Sequence, residues 1–353
     1  MDLDDWRSRI NELDQQILDL LNQRAAAALR IGELKRQQDL PYYVPEREAE
    51  VVSRLLGLNS GPFPPEGIKA VWREVLSASL ALEQPIAVAY LGPPATFTHQ
   101  AAVLRFGFSA RFVPSRGVGG VFEEVEREQA LFGVVPVENS TEGSVNVTLD
   151  RLMDSDLVIT GEVLLDISHQ LLSRASDVAE IRSVCSHPQA LAQCREWLAV
   201  NLPDVSVVEV PSTAAAAKSA LDDPTSGAIA SELAARLYNL PVLRSRIEDH
   251  PFNSTRFLVM GRRAMAPTGK DKTSILCSIK HEVGALAKFL EPFARHGLNL
   301  TKIESRPTKR RPWEYVFFVD FEGHREMPAV QAVLAEIRER CLFIKILGSY
   351  PAA

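Results

Sequence analysis

From Trp6 to Leu34 apolar residues fall at Trp6, Ile10, Leu13, Ile17, Leu20, Ala27, Ile31 and Leu34, in alternating steps of four and three. That spacing is the seam of a helix that packs along another helix. Arg24 interrupts the seam. A guanidinium there must snorkel, pair, or wait for an anion, because an unpaired buried charge costs several kcal/mol. Lys35 projects from the same face, about 16 Å further along the axis. The rod before Pro41 is roughly 52 Å long, whereas a compact domain of ~85 residues is about 30 Å across. A second copy of the chain is the simplest cover for the overhang.

A second helix start is predicted at Pro45-Glu46, and the run Gly61-Pro62-Phe63-Pro64-Pro65 breaks that helix. A third helix carries Ile68, Trp72, Val75, Ser79 and Leu82 in one stripe, with Glu83 four residues beyond Ser79. Polar groups therefore stand at core-like positions on all three helices: Arg24 and Lys35, Arg47 and Glu48, Ser79 and Glu83. Snorkelling or surface pairing accounts for any one of them. The three sets together point to a polar pocket inside a helix bundle.

From Ile86 the pattern becomes short β-branched runs (Ile86 to Tyr90, Gly133 to Val137, Leu157 to Ile159, Ser206 to Val210, Phe257 to Met260) alternating with helical stretches such as Ser144 to Met153 and Gln189 to Ala199. This is an α/β unit with a largely parallel sheet in two lobes. Polar loops follow the strands or open the helices: Thr96 in Leu91 to Thr98, Asn139 and Ser140 in Pro136 to Gly143, Ser186 to Gln189, Ser212 and Thr213, and Asn253 to Phe257. Hydroxyls, amides and helix N-termini suit carboxylates without a metal, although Ser186, Ser212 and Thr213 also read as helix caps. No P-loop, Ser-His-Asp order or dinucleotide fingerprint is present. Beyond a linker at Ala266 to Lys270, the order strand, helix, strand, strand, helix, strand is ferredoxin-like.

The 353 residues predict two or three domains of ordinary globular composition. Net charge is −6, and the first 84 residues hold ten Lys and Arg against fourteen Asp and Glu, which argues against nucleic acid. Arg24 and Lys35 then read as specific cations for a small anion. No apolar run predicts a membrane span, and the acidic start suggests a cytoplasmic protein. The four cysteines lack metal or disulfide spacing and read as free buried thiols. No metal and no cofactor is expected.

R-x-R-I-x-x-L-D from Arg7, L-L-N-Q-R ending at Arg24, I-G-E-L-K ending at Lys35 and V-P-E-R-E-A-E from Val44 resemble the all-helical class of chorismate mutase. The resemblance implies a dimer in which Arg7 reaches the partner's pocket while Arg24, Lys35, Arg47, Glu48, Ser79 and Glu83 line it. Arg7 and Arg24 would grip carboxylates, Lys35 would donate to the ether oxygen, and Glu48 would take the ring hydroxyl. Val44 stands where some relatives carry an acid, and Glu83 where others have glutamine. The expectation is that Glu83 works in its protonated form, burial disfavouring the carboxylate.

V-P-V-E-N-S-T-E-G-S-V-N from Val135 and N-x-T-R-F from Asn253 resemble prephenate dehydratase. The implied reaction is decarboxylation with loss of the ring hydroxyl, giving phenylpyruvate. Thr255 would assist the departing hydroxyl and Arg256 would clamp a carboxylate, while Thr96, Asn139, Ser140, Ser186, Gln189, Ser212, Thr213, Asn253 and Phe257 would line the cleft. Ala95 stands where relatives often have glycine. Gly284-Ala285-Leu286 and Glu304-Ser305-Arg306-Pro307 resemble the amino-acid-binding motifs of ACT regulatory domains, which implies inhibition by L-phenylalanine. The whole chain thus resembles the bifunctional chorismate mutase/prephenate dehydratases (P-proteins), with domains at 1–84, 86–262 and 272–350 and at least a homodimer. The competing reading is a non-catalytic ligand-sensing regulator built on the same α/β and ACT parts.

Overall fold

The computed structural model describes residues 2–38, 40, 42–43, 45–250, 252–280, 282–308 and 315–353, without the side chain of Glu46. Val44 lies outside the described residues. The chain divides into two compact units, Met1–Ala87 with Arg105–Arg111, and Val88–Leu104 with Phe112–Ala353.

The first unit is built on α1 (Leu3–Gln37), α2 (Pro45–Leu58) and α3 (Pro65–Glu83). Asp2 caps α1 in a reciprocal capping box, with acids in its first turn and Lys35 and Arg36 in its last. The predicted seam is solvent-facing within the chain: Trp6, Ile10, Leu13, Ile17, Leu20, Ile31 and Leu34 are each 41–62 % exposed. Gly32 is the only buried residue of α1 among the described residues, because a Cβ there would press on the Glu83 side chain of α3.

The rest of the chain runs through β1 (Ala87–Leu91), α4 (Phe97–Phe106), β2 (Arg111–Ser115), α5 (Val118–Glu126), β3 (Phe132–Asn139), β4 (Gly143–Ser144), α6 (Asn146–Asp154) and β5 (Val158–Asp166). It crosses into a second sheet with β6 (Gln170–Leu172), β7 (Ser183–Ser186), α7 (Pro188–Gln193), α8 (Arg195–Asn201), β8 (Ser206–Glu209), α9 (Thr213–Asp222), β9 (Ser226–Ala230), α10 (Glu232–Tyr238) and β10 (Val242–Arg244). It then returns to the first sheet as β11 (Ser254–Gly261). The strand orders are β2-β1-β3-β11-β5 and β10-β6-β9-β7-β8, so there are two lobes.

The expectation of a largely parallel sheet needs correction. β1–β3, β7–β8 and β7–β9 are parallel, but β11 runs antiparallel to both β3 and β5, and β6 antiparallel to both β9 and β10. Leaving the first sheet by β5 and re-entering by β11 imposes that reversal. The helix expected over Gln189–Ala199 is two helices that meet at Cys194. The carboxylate of Asp249 accepts the Glu196 and Trp197 amides at 2.9 Å each and so caps α8.

The last part comprises β12 (Asp271–Ile279), α11 (Ala285–Arg295), β13 (Leu300–Pro307), β14 (Tyr315–Glu322), α12 (Pro328–Arg340) and β15 (Cys341–Pro351). Its strands form an antiparallel sheet in the order β13-β14-β12-β15. One sheet face packs Ile275, Cys277, Val319 and Phe321 against Phe289, Phe293, Val330, Val333 and Ile337 of the helices. The opposite face meets the first lobe. Lys345 Nζ donates to the carbonyls of Leu152, Met153 and Ser155, and a Cβ at Gly348 would collide with the Ile159 carbonyl. All four cysteines are buried and free. Among the described residues no helix is long and apolar enough to cross a membrane.

Candidate active sites

Four of the polar residues predicted in the helical unit form two pairs between α1 and α3. The Arg24 guanidinium donates to Ser79 Oγ, which itself donates to the Val75 carbonyl at 2.7 Å. Burial lowers the pKa of Arg24. Lys35 Nζ donates to the Tyr42 carbonyl at 2.8 Å and stands 3.5 Å from Glu83 Oε2. Glu48 is held elsewhere in the unit, by the Tyr43 hydroxyl at 3.0 Å and Arg105 at 3.6 Å. Arg7 and Arg47 are surface residues paired with Asp4 and Glu50 of their own helices. Arg7 lies about 25 Å along α1 from Arg24, too far to share a pocket with it in one chain.

In the α/β part, β11 and β3 align Thr255 opposite Asn139. Asn139 Nδ2 donates to Thr255 Oγ1 at 2.8 Å and to Asn253 Oδ1 at 2.7 Å, while its Oδ1 accepts the amides of Thr141 and Glu142. Asn253 Nδ2 donates to Gln193 Oε1 at 3.1 Å, and His169 Nε2 lies 2.8 Å from the same oxygen. This row joins the two lobes and leaves Thr255, Asn253 and His169 buried. Because Thr255 Oγ1 accepts from Asn139, its own proton is directed elsewhere, as a donor to a leaving oxygen needs.

Gln193 and His169 carry no mark in the sequence as site residues. The edge of the Phe97 ring meets the His169 imidazole at 5.5 Å. Burial lowers the pKa of His169, against smaller raising effects of Gln193 and Glu248. Since Gln193 Oε1 only accepts, the proton sits on Nε2, and Nδ1 has no partner among the described residues.

The other predicted residues support this arrangement from further away. Ser140 Oγ donates to the Phe252 carbonyl and accepts the Ser254 amide, which ties the loop after β3 to the start of β11. Thr96 Oγ1 bonds within its own turn, to Leu91 and His99. Ser212 caps α9 through the Ala215 amide, with Thr213 half-buried in the first turn. Ser186 is not a cap: its hydroxyl donates to the Ile229 carbonyl at 2.6 Å, and His187 caps α7 next to half-buried Gln189. Phe257 is core, 2 % exposed. Ala95 has φ +72°, a left-handed backbone that glycine adopts without strain.

Arg256 is the clearest correction. Side chains alternate along a strand, so Arg256 points away from the face of Thr255 and Asn253. Its Nε donates to Glu162 at 2.7 Å, Nη1 to Asp320 at 2.6 Å and Nη2 to the Tyr350 hydroxyl at 2.9 Å. The guanidinium fastens β11 to β5 and to the C-terminal sheet, and the expected carboxylate clamp is not in the cleft.

Arg306 is displaced from its expected role in the same way. It donates to Asn146 and Asp150 of α6 at 2.7 Å each, and on the same side of β13 Lys302 pairs with Glu138 at 2.9 Å. Alternation puts Glu304 with these two half-buried residues, and Ser305 and Pro307 on the exposed side. Gly284, at φ +76°, precedes Ala285 and Leu286 at the start of α11. The Ala285 amide donates to the Glu282 carbonyl at 3.1 Å, and this leaves it no proton for a ligand.

A helical unit with paired polar side chains, two α/β lobes joined by a row of amides, and a four-stranded antiparallel sheet backed by two helices make a chain of several modules. Family models match in that order: chorismate mutase type II over residues 6–84, prephenate dehydratase over 88–265 and the ACT domain over 273–339. The bifunctional chorismate mutase/prephenate dehydratase of Aquifex aeolicus is 52 % identical over 356 residues, covering 100 % of this chain and 98 % of that protein. That of Pseudomonas aeruginosa is 46 % identical over 353 residues, covering 98 % and 97 %. A crystal structure of prephenate dehydratase from Arthrobacter aurescens in complex with L-Phe is 35 % identical, covers 75 % of this chain and 90 % of its own, and superposes with a TM-score of 0.69. The chain belongs to the bifunctional chorismate mutase/prephenate dehydratase family.

Proposed function

We propose that residues 1–84 rearrange chorismate to prephenate, residues 86–262 convert prephenate to phenylpyruvate, and residues 272–350 form a ferredoxin-like ACT domain that inhibits the pathway when L-phenylalanine binds. The family match over the full length of both catalytic modules carries this reading and outweighs that of a non-catalytic regulator. Phenylalanine as the ligand is supported by the related dehydratase solved with L-Phe.

In the first reaction Arg24 and Lys35 hold the dianion in a folded conformer, and Lys35 donates to the ether oxygen as charge develops there. Bidentate pairing suits Arg7, Arg24 and Arg47 to carboxylates, with Ser79 orienting Arg24, and Glu48 accepting the ring hydroxyl. The exposed seam of α1 and the distance of Arg7 from Arg24 both favour a homodimer in which Arg7 completes the partner's pocket. In the second reaction the Thr255 hydroxyl, oriented by Asn139, orients the departing ring hydroxyl or relays a proton to it rather than originating that proton. Aromatisation drives the loss of carbon dioxide, and the amide row with neutral His169 keeps the cleft polar without a competing charge. Arg306 acts on regulation by fixing β13 to α6, and the protein works in the cytoplasm.

The test is incubation of the purified chain with chorismate and no added cofactor. Phenylpyruvate is expected, and its formation should fall on adding phenylalanine. Unchanged chorismate would refute the assignment.

A further inference from the structure

The end of β3 that carries Asn139 is weakly held by its own backbone ladder. The register between β3 and β11 shifts beside it: Glu138 lies opposite Arg256 and Pro136 opposite Phe257, so Val137 is skipped. Pro136 has no amide proton for the ladder. On the other side the partner β4 is only two residues long, Gly143 opposite Asn139 and Ser144 opposite Glu138.

A side chain from the C-terminal sheet grips this point. Lys302 Nζ on β13 stands 2.9 Å from Glu138 Oε2 and donates to Ser144 Oγ at 3.0 Å. Because Glu138 and Ser144 face each other across the two strands, one ammonium spans the base of the turn from β3 to β4. The Lys302 side chain is 9 % exposed. Arg256 Nη1 is a second cation on Glu138, but at 3.9 Å, and it is committed at shorter range to Asp320. Side chains alternate along β3, so Glu138 lies on the face opposite to Asn139, and Lys302 holds the strand from behind the amide row.

We propose that Lys302 is a positioning residue for the dehydratase reaction, its ammonium holding the turn from β3 to β4 in the register that sets Asn139 against Thr255. The proposal rests on the reading of Asn139 and Thr255 as part of the dehydratase site. A neutral side chain at 302 leaves Glu138 with the more distant Arg256 alone and takes that donor from Ser144, and the turn is then free to shift against β11. Asn139 moves with it, and the Thr255 hydroxyl loses the amide that orients it. Misplacing such a group by ~1 Å costs roughly a hundredfold in rate. The second reaction thereby depends on a side chain of the third module.

The experiment measures dehydratase kcat and KM on prephenate for full-length Lys302→Met, Glu138→Gln, the double variant and Asn139→Ala. Lys302→Met keeps the apolar stem, and it should lower kcat by roughly tenfold or more with KM close to wild type and mutase activity unchanged. Glu138→Gln should show the same split, and the double variant should be no worse than the poorer single one, because both remove one interaction. If Lys302→Met does not fold, Glu138→Gln carries the test alone. Wild-type kcat in either folded single variant, a loss confined to KM, or additive losses in the double variant would overturn the proposal. Wild-type kcat in Asn139→Ala would instead overturn the reading of the amide row, and the proposal with it.

Discussion

Arg256→Ala separates two roles for an arginine that the motif alone assigns to substrate binding. The guanidinium is 11 % exposed and bridges Glu162 and Asp320, whose side chains are 1 % and 8 % exposed. Removing one partner of a buried ion pair costs about 3–5 kcal/mol. Glu162 keeps Lys272 at 2.7 Å and the Ala353 amide at 3.1 Å, so most of the loss falls on Asp320, and the lower half of that range is expected.

Urea unfolding of the full chain, followed through Trp197 in the second lobe, reads the midpoint of that part of the molecule. The KM for prephenate of the folded variant should stay close to wild type. Combining Asp320→Asn with Arg256→Ala should cost less than the sum of the two single changes. The pH dependence follows from Glu162. Burial, the largest single effect, pushes its pKa up, but Arg256, Lys272 and the Ala353 amide together bring it below the ordinary value. Its contribution to stability is therefore present above about pH 4.5 and lost as pH falls through the lower folded value. Wild-type stability of Arg256→Ala with a KM raised a hundredfold or more would restore the carboxylate clamp and refute the reasoning.

Further outcomes follow from other contacts. Arg7→Ala and Arg24→Ala proteins, each inactive as mutases, should regain about a quarter of wild-type sites when mixed and allowed to exchange subunits; no recovery would contradict a shared pocket. Arg306→Ala should weaken phenylalanine inhibition of the dehydratase at least severalfold by freeing β13 from Asp150, and an unchanged inhibition curve would refute that coupling. Buried His169 should be neutral at pH 6.5 in an NMR titration, because its folded pKa lies below the ordinary value. Stability therefore falls as pH drops below the ordinary value of 6.5, where the unfolded chain takes up the proton first, and the loss is complete below the folded value; an imidazole charged at pH 6.5 would contradict the neutral state.

The helical seam, the two lobes and the final strand and helix order are legible in the sequence because each rests on local periodicity. The mixed strand directions are not, since they depend on where the chain leaves and re-enters a sheet. Thr255, Asn139 and Asn253 stand out by their motifs and do lie together. Arg256 shares a motif with Thr255 but not its role, and the alternation of side chains along a strand already sets the two on opposite faces. His169 and Gln193 carry no local signal. Gln193 reaches the row from the last residue of α7, and the break that follows it depends on Asp249, a cap that stands far along the chain from the α8 amides it binds. Lys302 is hidden for a similar reason, since its partner Glu138 precedes it in another part of the sequence.

The central claim is that one chain runs two successive reactions at separate sites, and Thr255→Ala tests it most directly. Chorismate consumption by the full-length variant should match wild type while prephenate accumulates in place of phenylpyruvate. Loss of both activities in a folded Thr255→Ala protein, or continued phenylpyruvate formation, would contradict the account.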